Sequence, residues 1–330
     1  MTSLPFRLSE LLRDVRGVRM VAKPFDAAQE LGWIPREDTA LEEFVDSDVV
    51  EAGPFEAREI AQSGVSSFEW FEDGTEKTRL AFFEDFYPGC IACVGAAILK
   101  REGREMLHTH GYVDQKTFVA AFEGTQAATR LRERGYEFAQ VRADLASGES
   151  PSKAIQNRIS VERDAKERRI IAKWLEDGNP GWLLVDGGIA NILEGKSEFH
   201  RIVGVVKSHR KMYFQEREKL EVIQSLRPGQ RSPVFLANPL QRRAAYSWYL
   251  RLRHSDTQGP FFGLIRVELP PAEESMRYID DVSSWILAER APLSLPDVRF
   301  DRMIYPIRRV EMYLRSLQPS DAQLTGMVGT

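Results

Sequence analysis

Two Asp-Gly steps follow apolar runs in this sequence. Asp73-Gly74 follows the run at residues 68–72, and Asp186-Gly187 follows the run at residues 182–185. A strand that ends in a carboxylate and a glycine brings the carboxylate to an accessible sheet edge, and Mg²⁺ and Mn²⁺ prefer oxygen ligands. Cleavage of a phosphodiester with two cations needs carboxylates that flank metals about 3.5 to 4 Å apart. The two steps therefore indicate metal-dependent phosphate chemistry.

Each step has an alternative interpretation as a hairpin turn or β-bulge, because Asp-Gly is a common turn pair. The four apolar residues before Asp186 favour a buried central strand, and ligands bind at the switch points of such sheets. At the first step both interpretations stay open. Glu72 replaces Asp73 as the ligand if the strand register slips by one residue, because alternate residues of a strand face opposite sides.

Composition bounds the class of protein. The chain has 330 residues, a net charge of −4 and 43% hydrophobic residues, enough for one large domain or two modest ones. The acidic balance argues against a nonspecific coating of nucleic acid but permits a local basic groove. No apolar run approaches the ~18 residues that span a bilayer, and we expect a cytoplasmic protein. Cys90 and Cys93 predict buried free thiols, with a redox C-x-x-C motif as the alternative.

Strand-like and helix-like segments alternate along the chain. Strands are predicted within 68–100 and at 182–186, 202–206, 245–252 and 262–269, and helices at 151–176, 272–290 and 305–317 and across 115–148. This alternation predicts an α/β or α+β protein with a mixed central sheet flanked by helices. Residues 1–65 carry amphipathic segments and an acidic stretch. We interpret them as an N-terminal helical extension or cap before a domain that spans residues 66–330.

Six short segments carry a further signal through their order along the chain. They are Phe71-Glu72-Asp73-Gly74, Leu184-Val185-Asp186-Gly187, 203–208, 247–252, 263–268 and a tail from Asp297-Val298-Arg299 through Tyr305-Pro306-Ile307 to Glu311. Together they resemble the NurA nuclease family over residues 68–317. The resemblance implies an RNase H-like fold, DNA cleavage with Mn²⁺ or Mg²⁺, a homodimer, and a hexameric HerA-type ATPase partner in DNA-end processing or anti-phage defence.

The resemblance also implies a third carboxylate, a glutamate on a helix shortly before the second aspartate. The helix predicted over 151–176 offers Glu167, which Ile171 and Trp174 follow by four and seven residues. Residues at these spacings share a helix face, and that face must pack inward. Periodicity therefore favours Glu167 as the third acid.

Two other acids of this helix remain candidates. Asp164 lies seven residues before Ile171 and is the second choice. Glu162 shares a charged face with lysines and an arginine, which is typical of a solvated stripe. The alternative for every acid here is an ion pair with one of the arginines Arg158, Arg163, Arg168 and Arg169.

Basic residues follow the strand predicted at 202–206 and recur among aromatic residues near position 250. Such cations suit phosphate contacts, and interleaved aromatic rings can stack on the bases of a single strand. Packing in the core is the alternative for Trp248. The predicted nucleic-acid-binding residues are Lys207, His209, Arg210, Lys211 and Arg251.

The tail departs from the archaeal pattern of the family, which places a histidine on the last helix after the Tyr-Pro step. Glu311 stands at the matching position here, either as a fourth acid near the site or as a structural partner of Arg299. Tyr305 is a further possible site residue.

These observations predict a DNA nuclease that holds Mn²⁺ or Mg²⁺ with Asp73, Glu167 and Asp186 and contacts phosphate through Lys207. The sequence contains no Gly-x-x-x-x-Gly-Lys-[Ser/Thr] motif, so any ATP-driven motion would come from the partner. The alternative from another class is a catalytically inactive RNase H-like scaffold that binds or caps a HerA-type ATPase.

Overall fold

The structure, a computed structural model, describes residues 4, 6–21, 43–142, 148–193, 198–237, 244–253, 259–291 and 302–329. The helices in these ranges are α1 (Leu8–Leu11), α2 (Gln126–Glu133), α3 (Pro151–Glu176), α4 (Arg217–Ser225), α5 (Ile279–Glu289), α6 (Tyr305–Leu317) and α7 (Asp321–Val328). The strands are β1 (Val18–Met20), β2 (Glu43–Val45), β3 (Arg58–Glu59), β4 (Phe68–Glu84), β5 (Tyr87–Glu102), β6 (Glu105–Phe122), β7 (Phe138–Val141), β8 (Trp182–Asp186), β9 (Ile202–Val206), β10 (Lys211–Tyr213), β11 (Gln230–Arg231), β12 (Phe235–Ala237), β13 (Ala245–Arg251) and β14 (Leu264–Leu269).

Within the described residues, twelve strands form one mixed sheet. In its middle, β4, β5 and β6 are antiparallel neighbours, and β8 and β9 lie on the other side of β4 and run parallel to it. The sheet continues past β9 through β14, β13, β11 and β3, and it ends past β6 at β7. Three antiparallel strands, with two more that run parallel to the first, give the RNase H-like mixed sheet that the sequence predicts.

Strand β4 is much longer than its parallel neighbour β8. It has 17 residues, whereas β8 has five and ends at Asp186. The two strands stay paired as far as Glu72, which lies opposite Val185. Because β8 stops there, a gap opens in the sheet beside Asp73 and Gly74. We call this gap the notch; it is where side chains from the two sheet faces can meet.

Helix α3 covers one face of the sheet. It begins after Ser150, whose side chain accepts a hydrogen bond from a backbone N–H of the first turn, and Pro151 stands at the first helical position. Ile171 and Trp174 of α3 pack with Trp70 of β4 in one buried cluster. Since alternate strand residues share a face, Glu72 and Gly74 also face α3.

Helix α6 covers the opposite face. Ile307 and Leu314 of this helix pack with Phe71 of β4 and Leu184 of β8 in the largest buried cluster. The alternation of β4 therefore directs Asp73 toward α6. Adjacent residues of β4 thus place one carboxylate on each side of the sheet.

The described part of residues 1–65 contacts the rest of the chain. Strands β1, β2 and β3 pair with β4, β10 and β11. Helix α1 lies against α7, where the Ser9 hydroxyl donates to the Gly329 carbonyl 3.0 Å away. Glu51 accepts from the buried guanidinium of Arg231 at 2.7 and 3.0 Å. The described part of residues 1–65 thus contains one short helix, α1, and three short strands.

Most predicted elements agree with the structure, and two predictions are wrong. The range 115–148 is not helical throughout. Its first residues belong to β6, which extends to Phe122 between β5 and β7, and in the described part of the range α2 is the only helix. Pairing on both sides outweighs the helix propensity of the alanines there. Asp73-Gly74 does not end a strand, because β4 continues to Glu84.

The prediction of buried free thiols is confirmed, and of the two interpretations of Trp248 the structure shows packing in the core. Cys90 and Cys93 are buried free thiols on β5. Trp248 is buried on β13, where its indole N–H donates to the Ser283 hydroxyl at 2.9 Å, so the ring belongs to the core. Among the described helices, none is long and apolar enough to cross a membrane.

Candidate active site

Asp73 and Asp186 lie side by side at the notch, on the face that α6 covers. They are neighbours because the register that pairs Glu72 with Val185 places the next residue of each strand together. Asp73 is 7% exposed. The Lys207 Nζ lies 2.6 Å from Asp186 Oδ1, so a cation from the end of β9 accompanies the pair.

Glu167 reaches the notch from α3, on the other face. Its carboxylate occupies the space above Gly74, where a β-carbon would overlap Glu167 Oε1. A glycine is therefore required at position 74 by the close approach of this side chain. Glu167 lines the same hollow as Asp73 and Asp186, so the structure brings the three predicted acids together.

The carboxylates are crowded and largely shielded from water. Burial raises the pKa of Asp73 well above its usual value, and the charge of Asp186 raises it further, whereas Lys207 acts in the opposite direction. Burial also raises the pKa of Glu167 to about 7, against the charge of Arg163, whose Nε lies 3.3 Å from Glu167 Oε1. Crowded acids with raised pKa values are typical of catalytic and cation-binding sites.

Glu72 is the fourth acid of the notch. It is fully buried, and neither carboxylate oxygen has a hydrogen-bond partner. Burial raises the pKa of Glu72 well above its usual value, and the charges of Glu167, Asp73 and Asp186 raise it further. It stands next to Asp73 and does not replace it as the residue beside Asp186.

The notch opens into two adjoining hollows, of about 270 Å³ on the α6 side and about 280 Å³ on the α3 side. Asp73, Gly74, Arg163 and Asp186 line both. The α6 side adds the cations Lys207, Arg308 and Arg315 and the acid Glu311. The site thus combines a carboxylate centre with cations at its rim.

The donor set fits a divalent cation. Carboxylate oxygens are the preferred ligands of Mg²⁺ and Mn²⁺. Burial is the main cause of the raised pKa values of Asp73 and Glu167, and a cation would relieve the repulsion between neighbouring acids that raises them further. Over the described ranges, no three Asp, Glu, His or Cys side chains already stand at ligand spacing. Lys207 and Arg163 neutralise two of the acids instead.

The other predicted acids take different places. Asp164 is partly exposed, forms an ion pair with Arg163 at 3.1 Å and lines the α3 side of the site. Glu162 forms an ion pair with Arg158 on the same helix and lines neither hollow. The predicted ion pairing of helix acids with arginines therefore occurs, and for Glu167 it coexists with a position at the notch.

Glu311 and Tyr305 lie on different sides of α6. Glu311 lines the α6 side of the notch, adds to the raised pKa of Asp73 and forms an ion pair with Arg315 at 2.6 Å. Its other predicted partner, Arg299, lies outside the described residues. Tyr305 is 46% exposed and lines a separate hollow between α6 and the β5–β6 hairpin.

Two predicted nucleic-acid contacts are wrong because their side chains are buried. Arg251 is 2% exposed, and its guanidinium donates to backbone carbonyls of α4 and the 260–262 segment. His209 is 1% exposed, contacts the Leu264 carbonyl at 2.9 Å, and its burial lowers its pKa to about 4. Arg210 and Lys211 are at least partly exposed and stay predictions.

One residue that supports the site was not predicted. Glu268 of β14 is buried and accepts hydrogen bonds from the backbone N–H groups of Ile189 and Ala190, at 2.8 and 3.4 Å. It also forms an ion pair with Arg266 at 2.5 Å. Glu268 thus holds the loop that follows Asp186. The sequence signal that could have identified Glu268 is an acidic residue within a largely apolar strand.

A methyl group at position 74 tests the close approach of Glu167. In Gly74→Ala the new β-carbon overlaps a flexible side-chain end, so the fold should persist while Glu167 is displaced. We expect a loss of cleavage of about tenfold or more with little change in Tm. Gly95→Ala is the matched control, because its β-carbon would make ordinary contacts of 3.4 Å and longer. Equal activities of the two variants would contradict this placement of Glu167.

The raised pKa of Glu167 predicts an unusual pH dependence of stability. Between pH 4.5 and pH 7 the folded state holds a proton that the unfolded chain releases, so the free energy of unfolding falls as pH rises through this window. The fall is about 3 kcal/mol for this group alone. Urea unfolding of metal-free protein at pH 5 and pH 8 measures it. Glu167→Gln should reduce the fall, and an unchanged fall would contradict the assignment.

Comparison with known families shows which family the chain belongs to. A family model of the NurA domain matches residues 85–316, well over half of the chain. The chain belongs to the NurA family. Membership of the NurA family supports a nuclease activity, as the sequence predicts.

No curated protein matches the sequence. The structure is similar to the crystal structure of the NurA nuclease from Sulfolobus solfataricus, with 11% identity, coverage of 92% of this chain and 90% of that chain, and a TM-score of 0.45.

The NurA match contains most of the notch. Glu167, Asp186, Lys207 and Glu311 lie inside the matched range, whereas Asp73 precedes its first residue. The family match therefore does not include the β4 carboxylate, which lies beside Asp186 in the structure.

Proposed function

We propose that the chain is a divalent-metal-dependent DNA nuclease whose active site is the notch. The observation that carries this proposal is the meeting of Asp73, Glu167 and Asp186 from three separate elements at one break in the sheet. A structural role does not require three acids from β4, α3 and β8 to converge where they repel one another. A cation site does, because it needs several oxygen donors around one point.

Asp73, Asp186 and Glu167 would hold Mn²⁺ or Mg²⁺, with Glu311 as a further acid at the edge. When bound between these carboxylates, the ion would supply Lewis-acid chemistry to a phosphodiester. Of the cations at the rim, we propose Lys207 as the contact to the scissile phosphate; its Nζ lies 2.6 Å from Asp186 Oδ1, which supports this choice. The Lys207 backbone is fixed from behind, where Arg302 Nη1 donates to its carbonyl at 2.8 Å.

The cations around the site suit a phosphate chain. Arg308 and Arg315 lie seven residues apart on α6 and line the same hollow as Lys207. Arg168 lies on the α3 side. Cations on both sides of a carboxylate centre can hold the phosphates that flank the cleaved bond while the acids bind the metal. Arg210 and Lys211 extend this basic rim beyond Lys207 in our proposal.

The partners are proposed from family membership. We propose a homodimer that works with a HerA-type hexameric ATPase in the cytoplasm, in DNA-end processing or anti-phage defence. The absence of a phosphate-binding loop motif from the sequence is consistent with ATP hydrolysis by a partner. Co-purification with such an ATPase and the mass of the purified chain in solution test these two points separately.

A nuclease assay tests the proposed function. Metal-free protein is mixed with linear duplex DNA, linear single-stranded DNA, circular DNA or RNA, with and without Mn²⁺ or Mg²⁺. We expect cleavage of DNA with either ion and none in EDTA. Cleavage in EDTA would contradict metal dependence, and preferential cleavage of RNA would contradict the substrate. A lack of cleavage and of Mn²⁺ binding would indicate the scaffold that binds or caps an ATPase.

A further inference from the structure

Strand β7 forms one end of the large sheet, and its outer edge is open. Within the described residues the sheet ends at β7, which pairs in parallel with β6 on one side only. The Glu123 N–H donates to the Val141 carbonyl at 2.9 Å, so the peptide groups of Val141 and Ala139 point toward β6. Because peptide groups alternate along a strand, those of Phe138 and Gln140 point outward. Among the described residues, none forms a backbone hydrogen bond with them on that side.

The sequence of β7 lacks the features that usually protect an edge strand. Exposed edges are protected by charged residues, by proline, by a bulge or by a very short strand. The residues of β7, Phe138–Val141, include no charged residue and no proline, and they pair with β6 without a register shift. At the other end of the sheet, β3 has only two residues, Arg58 and Glu59, and both are charged. The edge of β7 is therefore suited to pairing with another strand.

A groove of about 570 Å³ lies between this open edge and helix α3. On the strand side it is lined by every second residue, Phe138, Gln140 and Arg142, the set whose peptide groups point outward. On the helix side the lining includes Ala154 and Val161, which lie seven residues apart on one face of α3. The Val161 side chain is 49% exposed. An extended segment in this groove would bond to the outward peptide groups and cover an apolar side chain.

The charged residues of the groove already have partners. Arg142 forms an ion pair with Glu123, and Arg158 forms one with Glu162. The third charged residue of the lining, Glu149, accepts a hydrogen bond from an asparagine of α3 at 2.7 Å. A phosphate chain needs cations that no carboxylate neutralises, so the groove does not favour nucleic acid. Main-chain hydrogen bonds and apolar contact remain, and these are the interactions by which a peptide adds to a sheet edge.

The length of the edge favours a short peptide over a second copy of the chain. The four residues of β7 span about 13 Å at the usual rise of a strand. A stable dimer buries about 1,200 to 2,000 Å² in total, and two such short strands that pair with each other supply only a small part of that area. A linear peptide needs no more than the edge and the groove beside it.

We propose that the groove beside β7 binds an extended peptide segment of a partner protein, which adds to the sheet as a further strand. The outward peptide group of Gln140 bonds to the main chain of the segment, and an apolar side chain of the segment packs on Ala154 and Val161. The groove shares no lining residue with the two hollows of the notch. The inference therefore stands independently of the proposed nuclease activity.

Selection of random linear peptides displayed on phage, with the full-length protein as the target, tests the inference. We expect enriched peptides with apolar residues at alternate positions, and fluorescence anisotropy of a synthetic copy measures Kd. Gln140→Pro removes the outward N–H and keeps the bonds to β6, so Kd should rise by at least about tenfold. The matched control Gln140→Ala keeps that N–H and should keep the wild-type Kd. A lack of enrichment, or equal Kd values for the wild type and Gln140→Pro, would overturn the inference.

A variant of α3 keeps the test decisive if Gln140→Pro has a lowered Tm. Val161→Glu places a charge on the groove wall at an exposed position, so the fold should persist while Kd for the selected peptide rises by at least about tenfold. Val65→Glu, at another exposed valine, is the matched control and should bind the peptide as the wild type does. An unchanged Kd for Val161→Glu would overturn the inference.

The mass of the chain in solution tests the alternative occupant, a second copy. We expect light scattering to give the same mass for the wild type and Gln140→Pro. A wild-type dimer that becomes a monomer in Gln140→Pro would assign the edge to a second copy and overturn the inference. Because Gln140 and Val161 lie outside the notch, their variants should cleave DNA at the wild-type rate. A wild type without nuclease activity would contradict the proposed function and leave the peptide test unaffected.

Discussion

Asp186→Asn should abolish metal-dependent cleavage. The change keeps the shape of the side chain and removes the charge that binds the cation. We expect a rate at least about a thousandfold below wild type, equivalent to about 4 kcal/mol of lost transition-state stabilisation. Single-turnover cleavage of linear DNA at saturating Mn²⁺ measures the rate. Wild-type cleavage by this variant would contradict the assignment of Asp186 as a ligand.

The Tm of Asp186→Asn shows whether a loss of cleavage comes from a lost ligand or from unfolding. Asp186→Asn removes the charge partner of Lys207, 2.6 Å away. It also removes a charge that raises the pKa of Asp73 further than burial alone does. The two effects oppose each other, so we expect the metal-free Tm to be unchanged or slightly raised. The increase in Tm on adding Mn²⁺ should shrink. Asp281→Asn, at an exposed position of α5, is the matched control and should keep both cleavage and the Mn²⁺ response.

Sequence patterns predict the parts of the site that depend on local periodicity. The apolar run before Asp186 fixes strand β8, and the spacing of Glu167, Ile171 and Trp174 predicts which face of α3 packs inward. Both predictions agree with the structure, because they depend on residues of one element. The position of Asp73 depends on more than its own strand. It lies at the notch because β8 is shorter than β4, and the lengths of two paired strands cannot be predicted from the sequence of either one.

The wrong predictions share a related cause. Arg251 lies in a basic and aromatic segment of the sequence, which suggests a surface cation. In the structure its guanidinium donates hydrogen bonds to backbone carbonyls of two separate segments. His209 comes two residues after Lys207 in the sequence, but its ring is buried and stacks on the ring of Phe261. Glu268 supports the loop after Asp186 from a strand more than 70 residues further along the chain. Such contacts follow from the tertiary arrangement, which composition and spacing do not encode.

Exposure alone does not identify the third acid of the site. Glu167 and Glu162 are similarly shielded, with 20% and 25% of their side chains exposed, and each forms an ion pair four residues away on α3. Their directions differ, because Glu167 lies over Gly74 at the notch and Glu162 lines neither hollow of the site. A pair of amide substitutions on one helix can therefore separate a ligand from a surface ion pair.

Glu167→Gln should lower the cleavage rate by orders of magnitude and raise the Mn²⁺ concentration for half activity, because a neutral amide is a poorer cation ligand. Glu162→Gln should cost little, since a solvated ion pair is worth about 0 to 1 kcal/mol. The metal-free Glu167→Gln variant should also be more stable than wild type at pH 8, where the wild-type carboxylate, with a pKa of about 7, is ionised in a buried position. Cleavage rates against Mn²⁺ concentration, together with urea unfolding at pH 8, measure both effects. The opposite ranking, with Glu162 essential and Glu167 replaceable, would mean that the arginine-rich face of α3 is the one turned toward the metal.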